Sequence, residues 1–141
     1  MYAPFLKWAR TPRLWTPGPE VKTEGPVIVS FTDLTVHRFR DIIACAASGL
    51  SLRKGWYAMP GAVGLWLWSS PLERRSGSIS VWTNEDDLLR FVRLPRHLAI
   101  MREHRKCGTL RSAKFTAERF VAADILRRGR QLITHPALDL A

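Results

Sequence analysis

The stretch from Ser78 to Met101, SISVWTNEDDLLRFVRLPRHLAIM, constrains what this chain can fold into more than any other segment. Ser78, Ile79, Ser80, Val81 and Trp82 alternate in polarity and include strong strand formers, which predicts a β-strand. Thr83 and Asn84 stop it. Asn84 suits a helix N-cap, because its side-chain oxygen can accept an amide hydrogen that the first turn leaves unpaired. Glu85, Asp86 and Asp87 then put negative charge at the positive end of the helix dipole. Leu88, Leu89, Phe91 and Val92 supply the apolar side. Pro95 has no amide hydrogen, so the helix breaks there and a second begins, with His97 just past the break.

The 141 residues are 46% hydrophobic, enough for one domain with a real core. Residues 1–25 hold Pro4, Pro12, Pro17 and Pro19 around Trp8 and Trp15. Prolines at this density exclude a long helix or a central strand, so an irregular arm is expected, its aromatics packed on something. Pro26–Leu34 reads as a strand with Val27, Val29 and Phe31 on one face. Thr35–Ser48 reads as an amphipathic helix with Val36, Phe39, Ile43, Ala46 and Leu50 on its apolar stripe and Gly49 at its end. Ala62–Ser69 is a second strand, with Leu65 and Leu67 on one face and Trp66 and Trp68 on the other. Gly61 and Gly64 mark a bulge or close packing where it starts. A turn over Pro71–Gly77 leads into the strand ending at Trp82. Leu110–Ala117 is the last strand, and Phe120–Arg128 an added helix ended by Gly129.

The core order is β-α-β-β-α-β, an α+β, ferredoxin-like pattern. The expected organisation is an arm over 1–25, a ferredoxin-like domain over 26–120, and a C-terminal helix and tail over 121–141. One sheet face serves the chain's own two helices. The other, if it carries Trp66, Trp68 and Trp82, is too apolar to stay wet, and a second copy covering it would make a homodimer.

The net charge of +10 favours acidic partners, but the basic residues form only short groups: Arg74-Arg75, Arg102 with Arg105-Lys106, and Arg127-Arg128 with Arg130. A ferredoxin-like sheet can bind RNA by stacking bases on aromatics. Ser78–Thr83 lacks the K/R-G-F/Y-G/A-F pattern of such a strand, so nucleic acid is disfavoured. Cys45 and Cys107 form no C-x-x-C, which fits a reduced, cytoplasmic protein rather than a zinc or thioredoxin-like motif. The first residues lack the apolar core of a signal peptide, and no run is long enough for a membrane span. Neither a phosphate-binding glycine loop, nor G-x-S-x-G, nor H-E-x-x-H occurs, which disfavours nucleotide binding, serine hydrolysis and zinc hydrolysis.

A strand ending in Trp82, an acidic helix start, Pro95-Arg96-His97 opening a new turn, and GTLRSAKFTAERF from Gly108 to Phe120 together resemble the small monooxygenase-like proteins of the dimeric α/β-barrel superfamily. Within it, the likeness is to the antibiotic-biosynthesis-monooxygenase-like domains and the group related to spheroidene monooxygenase. It spans roughly residues 26–120. The resemblance implies two sheets paired in a homodimer. It also implies a small monooxygenase-like oxidoreductase acting on an apolar aromatic or polyene-like substrate, with heme in some members.

His97 stands where heme-binding members ligate iron, which implies a catalytic or iron-ligating role. Arg96, Arg102 and Arg105 are candidates for heme propionates by position. Trp82 falls where heme-degrading members carry a Trp and is the second catalytic candidate. Those members also use an Asn near the first strand; here Ser30, Thr32 and Asp33 stand there, which counts against heme degradation. Trp66, Trp68, Phe31 and Met101 are expected to line a substrate pocket between sheet and helices, with His37 a weaker candidate. His104, seven residues after His97, shares a helix face with it and Met101 if the helix is unbroken, as a second ligand or pocket lining; the alternative, favoured by its neighbours Arg102, Glu103, Arg105 and Lys106, is a solvated stripe. The rival to an enzyme is a non-catalytic, dimeric binding module for a small apolar ligand or nucleic acid.

Overall fold

The computed structural model describes residues 13–134. Its elements in chain order are β1 (Arg13–Pro17), β2 (Val27–Val36), α1 (Phe39–Ser51), β3 (Ala62–Ser70), β4 (Arg75–Trp82), α2 (Glu85–Val92), α3 (Pro95–Cys107), β5 (Gly108–Ala117) and α4 (Ala122–Thr134). The five strands form one antiparallel sheet in the order β1-β3-β4-β2-β5. Because β4 lies between β2 and β3, the unit from β2 to β5 is the split β-α-β arrangement of a ferredoxin-like fold, as its order of elements predicts. Asn84 caps α2, its Oδ1 accepting the Asp87 amide at 2.8 Å.

Three sequence expectations are corrected. The proline-rich arm is not irregular throughout, since Arg13–Pro17 pairs with β3 as an edge strand, a place where proline is tolerated. Part of the arm, 1–12, and the tail beyond 134 lie outside the described residues. The apolar stripe assigned to the first helix is also displaced. β5 pairs with β2 as far as Val36, so Val36 belongs to the strand and α1 starts at Phe39. Ile42 and Cys45 are the buried positions of α1, whereas Phe39, Ile43 and Leu50 are exposed. Gly129, finally, lies inside α4 instead of ending it. A Cβ there would come within 2.8 Å of Ile79 Cδ1, so glycine lets the helix approach the sheet closely.

The strand start at Gly61 and Gly64 has both properties expected of it. The β3–β4 register shifts between Ala62 and Gly64, a bulge. Gly61 has φ +77°, and the Trp15 ring lies where a Gly64 side chain would be.

Strand alternation divides the core in two. On one face Val29, Phe31, Trp66, Trp68, Ile79, Val81 and Phe115 pack together under Ile125 and Leu132 of α4. Trp15 and Phe120 stack at 5.7 Å at the border of this cluster. The other face meets α1 through Leu34, Val36, Ile42 and Cys45, and α2 through Leu65, Trp82, Leu88 and Phe91. Trp82 is thus on the opposite face from Trp66 and Trp68, and the face carrying those two is covered by the chain's own α4. The premise for a second copy, an uncovered sheet of three tryptophans, does not hold.

A buried carboxylate ties the first face together. Asp33 of β2 pairs with Arg75 of β4 through both its oxygens and with Arg111 of β5 at 3.3 Å. Arg111 also donates to the carbonyl of Leu132, which joins the clamp to α4. Asp33 therefore links β2, its two neighbours β4 and β5, and the covering helix.

Candidate functional site

The second sheet face does not carry aliphatic side chains at its centre. Ser30 and Thr32 of β2, Ser78 and Ser80 of β4, and Ser112 of β5 lie there in register, Ser30 opposite Ser80 and Thr32 between Ser78 and Ser112. A hydroxyl floor offers a helix little apolar area to bury. α1 and α3 accordingly straddle it, and α3 has no fully buried residue. The space left is two adjoining chambers of about 400 and 460 Å³, each within the range of small-molecule sites. They share Thr32, Leu52, Leu67, Ser78, Met101 and Leu110. The larger is walled by Leu65, Phe91 and Val92 and bordered by His97, Arg105 and Lys114. The smaller is bordered by Cys45, Gly49 and His104.

Two imidazoles meet this slot. His97, Met101 and His104 follow one face of α3, at the three-to-four spacing of helix neighbours. His97 packs edge-on to Phe91, ring centres 4.8 Å apart. Burial pushes its pKa below 6.5; the Val92 carbonyl opposes this in part, and repulsion from His104 adds to it. Burial alone lowers His104. His97 Nδ1 and His104 Nε2 are buried with no hydrogen-bond partner among the described residues. Neutral imidazoles with a ring nitrogen to spare can accept a proton or ligate a metal.

Beside the floor, on the same sheet face, stands Trp82. It is fully buried, with ring centres 5.3 Å from both Trp56 and Phe91. Its Nε1–H donates to Ser80 Oγ at 3.0 Å. On the floor itself, Thr32 Oγ1 and Ser78 Oγ are hydrogen-bonded at 2.8 Å, and Thr32 Oγ1 also accepts the Ser78 amide at 3.1 Å.

The site residues expected from sequence separate into groups. His97, Met101 and Arg105 border the slot. Trp82 adjoins it through Ser80. Phe31 and Trp66 do not line it, because alternation puts them on the α4 face; Trp68 borders the smaller chamber, but its ring stacks with Phe31 at 6.4 Å on that other face. Arg96 and Arg102 are exposed and border neither chamber, and neither does His37. His104 does not belong to a solvated stripe, because it turns inward beside Met101. The hydroxyl floor was not anticipated. The signal for the floor was present: Ser78 and Ser80 share a strand face with Trp82, and a face that buries a tryptophan is an inner one.

Burial drives the Cys45 thiol up to about 11, with Cys107 and Asp41 adding to the shift, so Cys45 acts as an inert apolar wall. No group of three or more His, Cys, Asp or Glu among the described residues is placed to hold a metal ion. No helix among them is long and apolar enough to cross a membrane.

An antiparallel ferredoxin-like sheet with a ligand-sized slot under its helices defines a class of small α+β proteins. The chain has the fold of the antibiotic biosynthesis monooxygenase-like members of that class. The heme-degrading enzyme LmHde of Listeria monocytogenes superposes with a TM-score of 0.56 at 16% identity, over 72% of this chain and 68% of that one. A protein of Caulobacter crescentus CB15, provisionally described as an antibiotic biosynthesis monooxygenase, gives 0.56 at 14% identity, over 72% and 97%. One from Lactobacillus acidophilus NCFM, provisionally a monooxygenase, gives 0.57 at 10%, over 77% and 52%. No family model matches the sequence, and no curated protein matches it.

Proposed function

We propose that this protein is a monooxygenase-like oxidoreductase whose substrate is a flat, largely apolar aromatic or polyene-like molecule held in the slot between the sheet and α3. The observation that carries this reading is the juxtaposition in one slot of aliphatic walls, a hydroxyl floor and two half-buried imidazoles, each with one buried, unpartnered nitrogen. The walls remove a planar ligand from water. The floor gives its polar atoms partners. An imidazole kept neutral by burial can take a proton from a phenolic position of the ligand, and the resulting anion can be oxidised by dioxygen to a quinone: one oxygen atom enters the ring, the ligand supplies the electrons, and the other oxygen atom leaves as water with the imidazole's proton and the displaced ring hydrogen. The monooxygenase descriptions of the structures sharing this fold support the reading by analogy.

Heme is the cofactor this fold group suggests. An unpartnered imidazole nitrogen fits a group that ligates iron, so His97 would hold the heme iron, and Arg105 is the one of the three arginines that borders the slot and would meet a propionate. Heme, when bound, would supply the metal at which dioxygen is activated. Hemin titration followed at the Soret band decides between this version and one needing no metal; His97→Ala should abolish the band change. For the activity, oxygen uptake is measured with a panel of polycyclic phenols and polyenes under isotopically labelled dioxygen. Label should enter the product, and His97→Ala should slow entry by tenfold or more. No label from any substrate, with no hemin binding, would refute an oxygenase and leave a binding module.

A further inference from the structure

We propose that the Ser80 hydroxyl is the hydrogen-bond donor that selects an oxygen-bearing ring ligand in the larger chamber, and that the Trp82 indole is the positioning group that aims it. The proposal rests on the reading of the slot as a ligand site and names the chemistry it recognises.

Ser80 is buried and borders the chamber, and its Oγ accepts the Trp82 Nε1–H at 3.0 Å. A hydroxyl has one hydrogen to give and lone pairs to receive. With one lone pair engaged by the neighbouring indole on the same face, the hydroxyl is held, and its own hydrogen is not donated to any described residue. Ser30 lies directly opposite on β2, and the hydroxyl bond described for Ser80 is the one from Trp82. The indole itself is fixed by Trp56 and Phe91. Around Ser80 the chamber walls are Leu65, Leu88 and Phe91. The floor beside Ser80 is polar, with Ser30 opposite and Ser78 on the same strand, but the walls above it are apolar, and a ligand oxygen seated between them gives the donor an acceptor away from water.

The matching ligand is a flat ring carrying a carbonyl or phenolate oxygen at its edge. A plain hydrocarbon of the same shape would leave the donor buried and unpaired. Phe91 touches both His97 and Trp82, the ring that holds the donor, so one aromatic side chain packs against both the imidazole and the donor's support. An oxygen seated on Ser80 therefore places the adjacent ligand atoms in the chamber that His97 borders.

The test is calorimetric titration of the full chain with 2-acetylnaphthalene and with 2-isopropenylnaphthalene, which has nearly the same shape and no oxygen. The wild type should bind the ketone about tenfold more tightly. Ser80→Ala should bring the two affinities together, Ser80→Thr should keep the preference, and Trp82→Phe should weaken it. Adding Trp82→Phe to Ser80→Ala should not lower the ratio further, because both act through one hydrogen bond. A general loosening of the site would lower both affinities and leave their ratio alone. Equal binding of the two by wild type, or a preference surviving Ser80→Ala, would overturn the Ser80 assignment and leave the slot as a ligand site. Failure of both compounds to bind wild type would overturn the reading of the slot, and this proposal with it.

Discussion

Replacing Asp33 with Asn should destabilise the protein by about 3 kcal/mol, the lower end for a buried pair that loses one partner. The side chain of Asp33 is 5% exposed, and those of Arg75 and Arg111 are 13% and 27% exposed. A surface pair would contribute about 0–1 kcal/mol, but these exposures belong to the buried regime, where the loss of one charge leaves the other desolvated and uncompensated. Asn keeps the shape and one acceptor oxygen, which is why the lower end applies. Urea unfolding, followed by tryptophan fluorescence and far-ultraviolet dichroism, measures the loss. With a slope of about 2 kcal/mol/M the midpoint should fall by about 1.5 M. The effect should reach the slot, because Thr32 and Leu34, the neighbours of Asp33 on β2, border it. A midpoint within about 0.5 M of wild type would mean that the clamp contributes no more than a surface pair.

Other outcomes follow from the same geometry. His97 and His104 have folded pKa values below 6.5, so under acid the unfolded chain takes up protons that the folded chain refuses; stability should fall as pH drops from about 6.5 toward the lowered values, and His97→Gln with His104→Gln should flatten the profile. An unchanged profile in that double variant would refute the burial of the rings. Met101→Trp should fill the partition between the chambers and reduce naphthyl ketone binding by tenfold or more while far-ultraviolet dichroism holds; intact affinity would place the ligand elsewhere. With iodoacetamide at pH 8, peptide mass spectrometry should find Cys107 modified before Cys45, whose thiol is buried and raised to about 11; the reverse order would refute its burial. Ending the chain after Phe120 should expose the Phe31, Trp68 and Phe115 face and raise the light-scattering mass relative to the full chain, and equal masses would mean that α4 does not protect that face.

Elements announced by local chemistry were readable from sequence. Asn84, the acids behind it and Pro95 act within a turn of themselves, and the capped helix and its break stand where they predict. The ferredoxin-like order was equally legible, because strand alternation and helix spacing do not depend on distant partners. What failed depended on pairing across the chain. Only the β5 partner of Val36 decides that the residue is strand, and that decision moves the start of α1 and its buried side. Gly129 looks like a helix end until Ile79 is placed beneath it. The spacing from His97 puts His104 on the face of Met101, but only the floor opposite decides that this face points inward rather than to water. The serines of β4 were read by their polarity, although Trp82 on the same face shows which way that face points.

The helix α4 sits on the sheet face through which the resemblance would have two copies pair. It is joined to β5 only by residues 118–121, so its local concentration at that face is on the order of millimolar or more. A second sheet approaching from solution at micromolar concentration competes at a disadvantage of about a thousandfold for equal intrinsic affinity. Assembly through this face therefore requires α4 to leave, and a pair that forms by exchanging α4 between copies keeps the same contacts and escapes the competition. The length of that link, rather than the apolar character of the face, sets the concentration at which a dimer of this kind can form.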